Sequence, residues 1–134
     1  MNYSELKQKH TETLNDFPMF FAFGQGQFAE GLVQLGVKEE ELSSISGGGF
    51  IRSADAEEYL SMFRAFRAES KAYMLDDAFL TDAIKYELAN HEFGYTGDPS
   101  DALDVLGITL KDERIIACFK AAKAQYMEEN KDNF

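Results

Sequence analysis

The sequence predicts an α+β, mainly α fold in which about six helices pack around a small two-stranded β-ribbon. Apolar residues recur at spacings of three and four along most of the chain, which is typical of amphipathic helices. Two short aromatic segments, Met19–Phe23 and Phe50–Arg52, interrupt this pattern and lie next to glycines, as strands often do. Hydrophobic residues make up 45% of the 134 residues, with 12 Phe, which is enough for a core.

The N-terminal segment shows a single helical stripe that ends before Pro18. Proline cannot continue a helix and pushes the preceding residue toward extended geometry, so a new element begins after it. Met19–Phe23 is brief, aromatic and closed by Gly24, which favours a buried strand. The stripe of the first helix consists of Tyr3, Leu6, His10, Leu14 and Phe17, and we expect His10 to be a satisfied buried side chain and not a base.

The next segment predicts a helix over Gln25–Leu35, with Gly36 as its C-terminal cap. Lys38–Ser44 is interpreted as a short third helix. The run Ser46-Gly47-Gly48-Gly49 predicts a turn, because glycine tolerates the backbone angles that tight turns need. Phe50–Arg52 then predicts the second strand, which we expect to pair with Met19–Phe23.

The second half of the chain predicts four further helices. The first starts with Ser53 as its N-cap and the second with Asp76 or Asp77. The third starts at Asp98-Pro99 and ends at Gly107, and the last is capped by Thr109. We expect residues 1–130 to form a single globular domain and residues 131–134 to form a frayed C-terminal tail.

The charge of the chain is strongly negative, with a formal net value of −11. Such a chain repels the phosphates of nucleic acids and anionic membranes, so we expect no direct nucleic-acid binding and no membrane association. The sequence shows no signal peptide or membrane-spanning run, and its single cysteine, Cys118, predicts a packing role and no intrachain disulfide. A cytoplasmic location is therefore expected.

The acidic residues concentrate in the segment Asp76–Glu113, which contains ten acids against the two bases Lys85 and Lys111. This acidic segment has three interpretations: a binding surface for a basic protein partner, a mimic of nucleic acid, or simply a solvated surface. The sequence does not decide among them, or fix the oligomeric state.

Glu87 and His91 are four residues apart on a predicted helix and therefore share one face. A carboxylate and an imidazole so placed are a candidate site for a divalent metal. The alternative is structural, because a histidine near a helix C-terminus is stabilised by the helix dipole and by a nearby carboxylate.

Gly48, Gly49 and Arg52 form a second candidate, for an anionic small ligand. Glycines expose backbone N–H groups and arginine adds a positive charge, which is the chemistry of an anion site. A tight turn that leads into a strand accounts for the same residues.

Three blocks of the sequence resemble a family of small acidic proteins of bacteria or their mobile elements that has no assigned function. The blocks are Phe17–Phe23, Gly47–Arg52 and Tyr86–Phe93. The resemblance implies a single cytoplasmic domain, and it implies no catalytic residues.

No combination of nucleophile, base and orienting group is evident, and no cofactor is expected. The leading hypothesis is a non-enzymatic cytoplasmic accessory or protein-binding domain, of mobile-element origin. The alternative is a small-ligand or divalent-metal-binding protein centred on Glu87 and His91. An acidic nucleic-acid mimic is the second alternative.

Overall fold

A computed structural model describes residues 1–133 and contains seven α-helices and three strands within that range. The fold is α+β and mainly α, as predicted. Phe134, the last residue of the predicted frayed tail, lies outside the described residues, and Lys131–Asn133 form one 3-10 turn. The elements are α1 (Tyr3–Asn15), β1 (Phe20–Phe21), α2 (Gln25–Leu35), β2 (Leu42–Ile45), β3 (Gly49–Arg52), α3 (Ala56–Tyr73), α4 (Asp77–Asn90), α5 (Phe93–Thr96), α6 (Ser100–Leu106) and α7 (Glu113–Glu129).

The chain divides into two compact units. Lys9–Ala68 form the sheet unit, which holds the three strands and α2. Met1–Gln8 and residues 69–133 form the helical unit, which holds α4 to α7. The prediction of a single domain over residues 1–130 stays a prediction.

The sheet is antiparallel, with strand order β1-β3-β2. Phe20 faces Phe50 and Phe21 faces Gly49, which confirms the predicted pairing of the two aromatic segments. The ribbon gains a third strand, β2, in which Leu42 faces Arg52 and Ile45 faces Gly49.

The predicted helix over Lys38–Ser44 is therefore wrong. Glu39–Glu41 form a single 3-10 turn, and the chain then becomes extended at Leu42. β2 and β3 are joined by Ser46–Gly48, where Gly47 has φ +75° and Gly48 has φ +80°. Both values lie in the left-handed region that glycine adopts without strain, so the glycine run forms the turn of a hairpin.

Helix α2 packs against the sheet where Gly31 meets the ring of Phe20. A Cβ atom at Gly31 would lie 2.1 Å from the Phe20 ring, so only glycine permits this approach. Phe20 also stacks on Phe50 with ring centroids 5.3 Å apart, and Phe28 meets the Phe50 ring edge-on at 5.3 Å. These rings form the apolar centre of the sheet unit.

The helical unit has one hydrophobic core. It is built mainly from α4, α6 and α7, with the first turns of α1. The most deeply buried of its residues are Leu6, Leu80, Ala83, Ile84, Leu88, Ala102 and Ala122.

The helix ends follow the local sequence in most places. Asp76 caps α4 by accepting a hydrogen bond from the backbone N–H of Phe79 at 2.9 Å, and Gly36 and Gly107 end α2 and α6, as predicted. The predicted Thr109 cap is wrong, because α7 begins later and its N-cap is Asp112. Ser53 lies in a 3-10 turn before α3 and gives no side-chain cap; its Oγ instead lies 2.8 Å from that of Ser43.

Within residues 1–133, no helix combines the length and the apolar character that crossing a bilayer requires.

Candidate functional site

Glu87 and His91 lie together at the C-terminal end of α4, as their spacing predicts. His91 is the C-cap residue of this helix, and its Nε2 lies 3.3 Å from Glu87 Oε2. That nitrogen is shielded from solvent and forms no hydrogen bond of good geometry with the described residues. The Glu87 side chain has no exposed surface at all.

Two residues of α1 hold the other oxygen of Glu87. The Tyr3 hydroxyl donates to Oε1 at 2.6 Å, and the Lys7 ammonium donates to the same oxygen at 3.0 Å. Lys7 is itself placed over the ring of Tyr86, 5.2 Å from the centroid. The Asn90 amide approaches Oε2 at 3.4 Å. The buried carboxylate is therefore surrounded by donors, which is the condition under which a charge is tolerated inside a protein.

Burial alone would raise the pKa of the Glu87 carboxyl group. The hydrogen bonds from Tyr3, Lys7 and Asn90, together with the Lys7 charge, outweigh burial and lower that pKa below its ordinary value. Burial and the bond to Glu87 raise the pKa of the Tyr3 hydroxyl. Glu87 is therefore an anion and Tyr3 a neutral donor at neutral pH.

The described residues contain no group of three or more His, Cys, Asp or Glu side chains that could hold a metal ion. Glu87 and His91 would be two ligands, and both oxygens of Glu87 already face donors of this chain. A metal site at Glu87 and His91 stays a prediction, and a metal would have to displace these contacts.

The structure does not bring Gly48, Gly49 and Arg52 together around one point. Gly49 and Arg52 are at opposite ends of β3, about 10 Å apart along an extended strand. The Nε of Arg52 donates to Asp55 Oδ2 at 2.6 Å, while the Gly48 carbonyl accepts from the Ala22 N–H at 3.1 Å. An anion site at these residues stays a prediction.

The acidic segment Asp76–Glu113 is largely exposed, with two exceptions: Glu87 is buried and Asp82 is half-buried. Asp82 Oδ2 accepts the backbone N–H of Tyr3 at 3.1 Å. The exposed acids are Asp76, Asp77, Glu92, Asp98, Asp101, Asp104, Asp112 and Glu113.

His10 and Cys118, for which the sequence predicts buried packing roles, both contact other residues. The ring of His10 stacks on Phe66 with centroids 4.2 Å apart. Cys118 is a buried free thiol, with its Sγ 3.7 Å from the Asp77 carbonyl oxygen. Its burial agrees with a packing role.

Strand β2 has one free edge, which sequence reasoning missed. The strand order places β3 on one side of β2, and no other strand of residues 1–133 pairs with its far side. The Ala22 N–H donates to the Gly48 carbonyl, so these two residues form a hydrogen-bonded pair at the end of the β1–β3 ladder. Such pairs recur at every second residue of an antiparallel ladder, so the next one is Phe20 with Phe50. The backbone groups of Phe50 therefore point toward β1. Gly49 and Ile51 then bond toward β2.

The same alternation determines which residues of β2 direct their backbone N–H and C=O groups toward the free edge. Ser43 and Ile45 oppose Ile51 and Gly49, so their backbone groups bond β3. Ser44 directs its N–H and C=O to the free edge, and its side chain is exposed. Leu42 also faces outward, but its N–H donates to the Glu39 carbonyl.

A groove of about 390 Å³ runs beside this edge, and we call it the Leu60 groove. It is lined by residues 43–45 of β2, by Ser46 of the following turn, by Ile51 of β3, and by Ala56, Tyr59 and Leu60 of α3. Leu60 is 52% exposed, which is high for a leucine beside a sheet. An unpaired strand edge and an exposed apolar wall thus lie next to each other.

A second cavity, of about 550 Å³, lies at the N-terminal end of β2, and we call it the acidic cavity. Its charged lining consists of Glu40, Glu41, Asp55 and Arg52. Arg52 is paired with Asp55 at 2.6 Å, so the negative charge of Glu40 and Glu41 is not balanced within the cavity.

A signal for β2 was present in the sequence. Leu42–Ile45 and Gly49–Arg52 flank a three-residue, glycine-containing loop, which is a hairpin pattern. The three glutamates before Leu42 favoured a helix locally, and the long-range pairing with β3 overrode that preference.

Comparison with known proteins identifies a family whose function is unknown. No curated protein and no solved structure matches the chain. A family model does match, over residues 2–125, and its description is a family of unknown function. Because the match covers most of the sequence, the chain belongs to this family of unknown function, DUF7659.

Proposed function

We propose that this protein is a non-catalytic protein-binding domain that takes up an extended segment of its partner along the free edge of β2. The single observation that carries the proposal is the unpaired edge of β2 beside the Leu60 groove. Unpaired strand edges are templates for an additional strand, and binding by strand addition combines backbone hydrogen bonds with pockets for alternate side chains.

Ser44 supplies the backbone contacts in this proposal. Its N–H and C=O face outward, so an incoming strand forms two hydrogen bonds with this one residue. Every second side chain of that strand then lies over the Leu60 groove, where it covers Leu60 and Tyr59. Burial of an aliphatic side chain in such a groove is favourable by roughly 1.5–3 kcal/mol.

A selection from a random ten-residue peptide library on the immobilised protein tests the proposal. We expect enriched peptides with apolar residues at alternate positions, and we expect them to bind the protein in fluorescence anisotropy titrations. The informative variant is Ser44→Pro, which removes the outward N–H and leaves the pairing with β3 in place. Its matched control is Ser44→Ala, which loses the hydroxyl and keeps the N–H.

Ser44→Pro should weaken peptide binding about tenfold, the effect of one lost hydrogen bond of about 1.4 kcal/mol, while Ser44→Ala stays close to the parent protein. Leu60→Glu should abolish binding, with Leu75→Glu as control, because Leu75 is 78% exposed and does not line the groove. Failure to enrich any peptide, or equal affinity for Ser44→Pro and Ser44→Ala, would contradict strand addition. Thermal unfolding of each variant establishes that it is folded.

We also propose that the protein is cytoplasmic and that it comes from bacteria or their mobile elements, as the resemblance implies. Both proposals are supported by the three sequence blocks around Phe17–Phe23, Gly47–Arg52 and Tyr86–Phe93. Gene neighbourhoods of family members that contain phage or conjugation genes would support the origin, and neighbourhoods of housekeeping genes would contradict it.

A further inference from the structure

We infer that the segment bound at β2 is a basic peptide, in which an apolar residue is followed toward the C-terminus by lysine or arginine. This inference rests on the proposed function and adds the chemistry and the direction of the partner. Two neighbouring features carry it: the apolar Leu60 groove beside Ser43–Ser46, and the acidic cavity before Leu42.

The charges around the N-terminal end of β2 select a cation. Glu39, Glu40 and Glu41 are consecutive and exposed, and Glu40 and Glu41 line the acidic cavity. Glu41 Oε1 accepts the backbone N–H of Lys38 at 3.0 Å, a contact that holds the carboxylate without neutralising it. Glu40 forms no ion pair with the described residues. A lysine or arginine side chain of the partner supplies the missing charge.

The same charges disfavour a second copy of this chain as the occupant. Each copy carries a formal net charge of −11, so edge-to-edge pairing brings two strongly negative molecules together. A basic segment of another protein does not meet this obstacle.

The direction of the peptide follows from the order of the two features along β2. Glu41 precedes the strand and Ile45 ends it, a separation of about 13 Å in an extended chain. Antiparallel pairs outnumber parallel pairs two- to three-fold, so the incoming strand runs opposite to β2. Its apolar residue therefore comes first, over the Leu60 groove, and its basic residue follows about four positions later.

The test uses three synthetic nine-residue peptides. The first has a Val-Thr-Ile-Thr core followed by two lysines, the second has the two lysines before the core, and the third has two glutamates in place of the lysines. We expect the first peptide to bind most tightly in fluorescence anisotropy, the reversed peptide about fivefold or more weakly, and the acidic peptide not at all. The affinity of the first peptide should decrease when the salt concentration is raised from about 0.05 M to about 0.5 M, because salt screens exposed charges.

The charge variant is Glu40→Gln with Glu41→Gln, and its control is Asp101→Asn with Asp104→Asn, which removes the same formal charge from exposed positions on α6. The double variant Glu40→Gln, Glu41→Gln should bind the lysine peptide about fivefold or more weakly, and this binding should lose most of its salt dependence. The control double variant should leave the affinity and its salt dependence nearly unchanged.

The outcomes separate the inference from the proposed function. Enriched library peptides that depend on Ser44 but carry no basic residue would overturn the inference and leave strand addition standing. Equal affinity for the lysine and glutamate peptides would do the same. Peptide binding that is equal for Ser44→Pro and Ser44→Ala would overturn both the basic-peptide inference and strand addition. A dimer in light scattering that Ser44→Pro dissociates would identify a second copy as the occupant and overturn the basic-peptide inference.

Discussion

The Tyr3 hydroxyl donates a 2.6 Å hydrogen bond to Glu87 Oε1, joining two residues 84 positions apart in the sequence. The bond connects the first turn of α1 to α4, and Lys7 adds an ion pair to the same oxygen one turn further along α1. The carboxylate is fully buried, so its donors determine whether it stabilises the helical unit or destabilises it.

Replacement of Glu87 by Gln should destabilise the protein by about 1–3 kcal/mol, because the variant loses the charged acceptor and places an amide among donors. Chemical denaturation measures the change in the free energy of unfolding. Glu30→Gln is the control, since Glu30 is exposed on α2, and it should change stability by less than about 0.5 kcal/mol. An equal effect of the two substitutions would contradict the role assigned to the buried carboxylate.

Tyr3→Phe should cost about 1–2 kcal/mol, because it leaves Glu87 with one donor fewer while keeping the ring contacts with Phe79 and Tyr86. A double-mutant cycle with Glu87→Gln should give a coupling energy of about 0.5–3 kcal/mol. Additive effects would mean that the 2.6 Å contact contributes nothing to stability.

The lowered pKa of Glu87 makes its contribution to stability dependent on pH. The unfolded carboxyl group titrates near its ordinary value of 4.5, and the folded group titrates below it, so the unfolded state binds more protons in between. The stabilisation is therefore complete above the unfolded pKa and is lost as the pH falls through the folded pKa. The difference in unfolding free energy between the parent protein and Glu87→Gln should stay constant from neutral pH to about pH 5.5 and shrink in more acidic solution. A difference that grows on acidification would show that burial dominates and that the pKa is raised.

Local sequence patterns predicted the features that depend on neighbouring residues. The helix over Gln25–Leu35 and the shared face of Glu87 and His91 follow from spacing alone. The partners of Glu87 on α1 could not be predicted, because no periodicity relates residues 84 positions apart. The free edge of β2 was missed because the three glutamates before Leu42 favoured a helix locally, whereas the extended form of Leu42–Ile45 depends on its pairing with β3.

Gly31→Ala tests the close packing of α2 on the sheet. The added Cβ would lie 2.1 Å from the Phe20 ring, so we expect a loss of about 1–3 kcal/mol from overpacking. Gly26→Ala is the matched control in the same helix, where the added Cβ meets nothing within 4 Å. Because alanine favours helices, Gly26→Ala should be neutral or stabilising by up to about 1 kcal/mol. Denaturant midpoints that move in the same direction for both variants would contradict the packing of Gly31 against Phe20.

Sequence and structure assign the N-cap of α7 to different residues, Thr109 and Asp112 respectively. Asp112 Oδ1 accepts the backbone N–H groups of Arg114 at 2.8 Å and Ile115 at 3.3 Å, and a carboxylate there also faces the positive end of the helix dipole. Asp112→Ala should therefore lower the free energy of unfolding by about 1 kcal/mol. Thr109→Ala changes an exposed side chain before the helix and should have an effect within about 0.5 kcal/mol. A larger loss for Thr109→Ala than for Asp112→Ala would place the start of the helix at Thr109 and reverse the assignment.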